Sequence, residues 1–204
     1  MKYTSIARRA LALVCTVALA AVPALGLTAC GGPSDEELIK QTLTADLDAI
    51  KTVDEDTVKS MMGDSTVSEM ENYGIDVFEF YTNCVKQFSY DNLAVSVDGD
   101  TAKATLDVTN VDVEAVMNSW ANDVTAYVTS QEAIDDYNNL GENGMMQKML
   151  KNLTDAIGAS GAPTKTASMT IDLAKGDDGW DLSDASQLSN LVFAGADLSS
   201  LDNL

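Results

Sequence analysis

With three cysteines, thirty-two carboxylates and no histidine, the chain has a narrow choice of chemistry. Lacking imidazole, it cannot run Cys-His or Ser-His-Asp catalysis or hold a histidine-ligated zinc. Cys15 lies inside an apolar N-terminal run and Cys30 just after it, so Cys84 is the one thiol embedded in the body of the chain. Val77, Tyr81, Cys84 and Phe88 recur at helical spacing, which puts that thiol on an apolar face as an inert core residue rather than a nucleophile. Carboxylates cluster at Asp54-Glu55-Asp56 and at Asp177, Asp178, Asp181 and Asp184. An EF-hand loop beginning at Asp54 or Asp177 would need Glu at its twelfth position, where Ser65 and Leu188 stand, so both stretches read as turns and helix caps. No Gly-rich phosphate loop and no basic patch accompanies them, and neither cofactor nor metal is expected.

The N-terminus has another chemistry. Lys2, Arg8 and Arg9 precede an uncharged apolar run from Ala10 to Leu27, the basic and apolar regions of a secretion signal. The run is short for a spanning helix, and Pro23 interrupts it. It ends in Leu27-Thr28-Ala29-Cys30-Gly31, with Leu three positions before the cysteine, a small residue directly before it and Gly after. This stretch resembles the bacterial lipobox. The resemblance implies cleavage between Ala29 and Cys30, a diacylglyceryl group on the Cys30 thiol, and a mature chain held on the extracytoplasmic face of the cell membrane. At about 0.8 kcal/mol per buried methylene, two acyl chains anchor stably where one does so marginally. Residues 30–33, Cys30-Gly31-Gly32-Pro33, then form a lipidated spacer, and 34–204 the single extracytoplasmic domain.

Loss of residues 1–29 removes three basic residues and no acidic ones, leaving nine against thirty-two and a net charge of −23. Such a chain repels nucleic acid and anionic headgroups, so nucleic acid is not an expected partner. With Cys30 lipidated, Cys84 has no disulfide partner in the chain.

The elements that must position these residues follow from the hydrophobic pattern. Ser34 with Glu37 three residues on reads as a capping box, opening a helix with Leu43, Leu47 and Ile50 inward, predicted to run to about Met62 and end near Gly63. A second helical stretch from about Val67 to Gln87, interrupted near Gly74, presents Val77, Phe78, Tyr81, Val85 and Phe88 inward. The period then changes to two: Leu93, Val95 and Val97, then Ala102, Ala104, Leu106 and Val108, with Asp98-Gly99-Asp100 as the turn. The opposite face carries Ser96, Thr101, Lys103, Thr105, Asp107 and Thr109, so one face is packed and one is wet. Two helical stripes follow, Val113 to Tyr127 and Met146 to Ile157, broken at Gly141-Glu142-Asn143-Gly144. Ala167, Met169, Ile171 and Leu173 alternate again, Gly176 to Gly179 turns the chain into Trp180 and Leu182, and a short helix from about Ser183 to Phe193 follows. The order predicts an α+β fold with helices on one face of a four-stranded antiparallel sheet and a helical insertion between two hairpins.

This order, with Phe88-Ser89-Tyr90 leading into the strand-turn-strand stretch around Asp98-Gly99-Asp100, resembles bacterial lipoproteins whose domain is of the nuclear transport factor two-like, or cystatin-like, group. About 50 residues of helical pattern separate the hairpins, where compact members of that fold have a short connection. The resemblance implies a cone between sheet and helices in which enzymes place an acid and a tyrosine, a place open to Asp107, Tyr81, Tyr90 or Tyr127. Tyr81 and Tyr127 sit on apolar helical faces, where packing is their ordinary role, and the chain reads as non-enzymatic. The expected function is that of a membrane-tethered binding or accessory domain with an envelope protein partner. A small-molecule or enzymatic pocket and a purely structural envelope role are the alternatives. A deep apolar cavity of roughly 300 Å³ or more would mark the pocket, and an exposed apolar patch on the helical insertion would mark the interaction surface.

Overall fold

The computed structural model describes residues 33–176, 179–184 and 186–196. Residues 1–32, with Ala29, Cys30 and the signal stretch, lie outside the described residues, as do Asp177 and Asp178. Among the described residues no helix is long and apolar enough to cross a membrane.

Helix α1 (Asp35–Ala49) opens with the expected capping box: Ser34 Oγ accepts from the Glu37 amide, and Glu37 Oε2 accepts from the Ser34 amide. The helix expected to run to Met62 is instead two. Asp54 breaks it, because its carboxylate accepts the Thr57 amide at 2.9 Å and the Thr57 hydroxyl at 2.8 Å and starts α2 (Glu55–Met62). Gly63, at φ 76°, ends α2 and leads into α3 (Asp64–Asn72). After Gly74, Asp76 caps α4 (Val77–Val85), whose buried side chains are Val77, Phe80, Tyr81, Cys84 and Val85. Phe78, expected inward, is only half-buried; Phe80 takes the inner place. Phe88 is buried just beyond the helix.

Strands β1 (Ser89–Asp98) and β2 (Thr101–Val111) pair antiparallel from Asp98 opposite Thr101 to Ser89 opposite Thr109, as the alternation requires. The register slips between Asp91 and Ala94, where Asn92 stands at φ 56°. β3 (Thr164–Gly176) lies on the other side of β2 in unbroken register from Thr164 to Ala174, and β4 (Gly179–Leu182) closes the four-stranded antiparallel sheet β1-β2-β3-β4. Ala102, Ala104, Leu106 and Val108 on β2 are buried, as are Ile171 and Leu173 on β3, while Thr101, Lys103, Thr105, Ser168 and Thr170 face solvent. The fold is therefore α+β with helices packed against one face of the sheet. The last helix, α7, spans Ser186–Val192. It starts later than the pattern indicates, since the Ser183 amide is drawn to the Asp172 carbonyl at 2.9 Å.

Between the hairpins stand α5 (Val113–Val128) and α6 (Gln131–Gly158). The break expected at Gly141 is a kink inside α6, with Gly141 at φ 69°, ψ −178°, and the stretch 131–140 before it is helical, which the apolar pattern did not indicate. The insertion packs as core over residues 113–120 and 146–157. Trp120 is 4% exposed and its indole N–H donates to the Met149 carbonyl at 3.0 Å; Met146, Met149, Leu150, Leu153 and Ile157 are buried around it.

Candidate functional site

The residues weighed for catalysis are not brought together. Tyr81 is buried and donates its hydroxyl to the Ile50 carbonyl at 2.6 Å, and burial holds its pKa far above the ordinary phenol. Tyr90 bonds Asp48 at 2.8 Å and Tyr127 bonds Asp136 at 2.7 Å. Asp107 points to the solvent face, where Ser168 and Asn92 donate to its carboxylate and keep its pKa below the usual range. Cys84 is fully buried. Asp54 serves as a helix cap, and among the described residues no three acids or thiols are placed to hold a metal.

One hollow lies along α1, open to solvent, with a volume of about 520 Å³; Glu37, Lys40, Gln41, Thr44, Ala45 and Asp48 line it. It is an open flank of a single helix rather than the deep, enclosed cavity a small-molecule site requires.

The helical insertion offers a different surface. Asp112 caps α5 by accepting the Ala115 amide at 3.0 Å, and Val113, Val116, Met117 and Trp120 bury its first half. Burial then fades: Val124 and Tyr127 are half-buried and Val128 is 47% exposed. Ser130 turns the chain, its hydroxyl donating to the Tyr127 carbonyl at 2.7 Å and accepting the Ala133 amide at 3.2 Å. In the helical stretch that follows, Ala133 is buried, but Ile134, Tyr137 and Leu140 are 56%, 60% and 52% exposed. Among the described residues, the large apolar side chains that stand exposed are these three and Val128, all within one hairpin tip. Scattered exposure needs no explanation, whereas concentration in one element does.

The tip is held in shape by charge. Lys148, beyond the kink, reaches back to Glu132 at 2.6 Å and Asp136 at 2.5 Å and lies 5.3 Å from the centre of the Tyr127 ring. The hydrogen bond from Lys148, and then that from Tyr127, holds Asp136 below the usual carboxylate range, and the two acids raise the lysine in turn. Glu132 and Asp136 thus engage Lys148, while Asp135 and Glu142 remain as exposed acids on the same element. Sequence reading missed residues 131–140, although Ser130 as a cap and Gly141 as a stop were both visible. Compared with protein-family models, curated proteins and solved structures, the chain finds no match.

Proposed function

We propose that this protein is a membrane-tethered, extracytoplasmic lipoprotein whose domain binds an envelope protein through the α5–α6 hairpin tip. The observation carrying this reading is the exposed set Val128, Ile134, Tyr137 and Leu140 on an element otherwise built as core. Leu27-Thr28-Ala29-Cys30-Gly31 supports the tether. The surroundings of the tip define the partner's chemistry: exposed Asp135 and Glu142, on a mature chain of net charge −23, fit an apolar surface rimmed by Lys or Arg. A second copy brings the same acids, and an anionic bilayer repels them, so a basic protein surface is the occupant that fits. Function then rests on contact area rather than on a reaction.

The test is co-purification from membranes with the anchor intact, comparing the natural chain with Ile134→Asp and Tyr137→Asp. Both positions are exposed, so the variants keep the fold; they are expected to lose a basic partner retained by the natural chain. Unchanged recovery of the same partner by both variants refutes the tip as the docking site. A small molecule bound along α1 with no protein recovered would instead favour the pocket reading.

A further inference from the structure

We propose that the outer edge of β3, from Thr164 to Thr170, accepts an extended, uncharged strand from a partner protein by backbone pairing. Along β3 the backbone groups alternate in direction. The Lys175 amide donates to the Asp100 carbonyl at 2.9 Å, on the β2 side. Asp172 faces the other way: its carbonyl accepts from the Ser183 amide at 2.9 Å, and its amide donates to Gln187 Oε1 at 2.7 Å. Thr170, Ser168, Thr166 and Thr164 share the parity of Asp172 and so turn their N–H and C=O groups outward. β4 pairs only with Leu173–Gly176, and among the described residues no backbone group meets the outward ones beyond Asp172.

The two edges of the sheet differ in how they are treated. The outer edge of β1 has a bulge at Asn92, exposed Asp91 and Asp98, and α1 packed against the strand, all of which resist a further strand. The β3 edge lacks the bulge and the carboxylates: its register with β2 is unbroken, and no carboxylate lies between Asp155 and Asp172, while Gly195 packs beside Met169 and Ala167 without bonding the strand's backbone. Its one charge, Lys165, sits 3.7 Å from Glu114. A side chain such as Gln187 meets the outward groups of one residue, whereas a row of them along a strand is matched group for group by another extended backbone. Ala167 and Met169, half-buried and approached by Gly195, give that strand an apolar side, and exposed Thr166, Ser168 and Thr170 give it a hydroxyl-lined side. The occupant is therefore an extended segment alternating apolar with small polar residues. Strand pairing at this edge requires neither the hairpin tip nor the lipid anchor.

Amide hydrogen exchange on the full chain in detergent micelles tests it, with a capped Thr-Val-Thr-Val-Thr-Val-Thr peptide as the probe. In the chain alone, amides of Thr166, Ser168 and Thr170 are expected to exchange at least about tenfold faster than those of Lys165, Ala167 and Met169, and the probe to slow them by about that factor. Thr170→Pro removes an outward donor at a position where an edge strand tolerates proline. It is expected to keep slow exchange at Ala104 and Leu106 while abolishing the probe's effect, and Thr170→Lys to retain that effect. Outward amides already protected without the probe overturn the proposal: protection that grows with protein concentration assigns the edge to a second copy, and protection independent of concentration assigns it to the chain itself. Exchange unaltered by the probe also overturns it, whether or not the proline variant folds.

Discussion

Asn110 is fully buried on β2 and joins three parts of the fold at one side chain. Its amide nitrogen donates to the Cys84 carbonyl at 3.0 Å and the Val192 carbonyl at 2.6 Å, and its oxygen accepts the Val111 amide at 2.7 Å. A buried polar group left without a partner costs about 1–3 kcal/mol, so Asn110→Ala, which strands three, is expected to destabilise by at least about 3 kcal/mol in urea unfolding. Neither Cys84 nor Val192 signals this in sequence, because both contribute only backbone oxygen. Trp120 was legible. Its helical spacing with Val116, Met117 and Val124 pointed inward, and the buried indole bonded to Met149 agrees. Trp120→Ala should cost about 3–5 kcal/mol by equilibrium unfolding, and a loss under about 1 kcal/mol would mean that the ring contributes little to the core.

At the scale of elements, α6 depends on two glycines that do different things. Gly141 adopts φ 69°, ψ −178°, a conformation essentially confined to glycine, so Gly141→Ala should cost about 1–3 kcal/mol or straighten the helix. Thermal unfolding reads the first outcome and amide shifts of residues 131–140 the second. Gly144 instead makes room: a Cβ there would meet the Leu140 Cβ at 2.5 Å. The clasp across the kink has a pH signature. Asp136 titrates below its ordinary 3.8 because Lys148 bonds it, so its contribution is present above that value and is lost as pH falls below it. Lys148 titrates above its ordinary 10.5 because Asp136 and Glu132 bond it, so its contribution is complete below 10.5 and is lost as pH rises beyond. Tyr127 ring-proton shifts are therefore expected to stay flat through neutral pH and to move only below pH 3.8 on the acid side, and Lys148→Met should bring that movement to higher pH.

For the whole molecule, address and surface are separate questions. Replacing Cys30 by Ala should abolish fatty-acid labelling and leave unprocessed or released protein; labelling that persists would place the acyl group elsewhere. Elements with a strong period and a clear cap are legible in the amino-acid order alone: Ser34 with Glu37, the alternation on both sides of Asp98-Gly99-Asp100, and the apolar stripes through Trp120 and Leu150. Those signals are local, since a helix or strand buries one face whatever covers it. The split at Asp54 was less legible, because an acid in a row of acids reads equally as solvated surface or as cap until its partner at Thr57 is seen. Which apolar residues go uncovered, and which strand edge is left unpaired among the described residues, depends on tertiary packing. Ile134, Tyr137 and Leu140 differ from buried Leu150 and Leu153 in what lies opposite, and Thr166 differs from Thr109 in having no strand beyond it among the described residues. What packs against a residue is set by contacts between distant parts of the chain, which local periodicity does not encode.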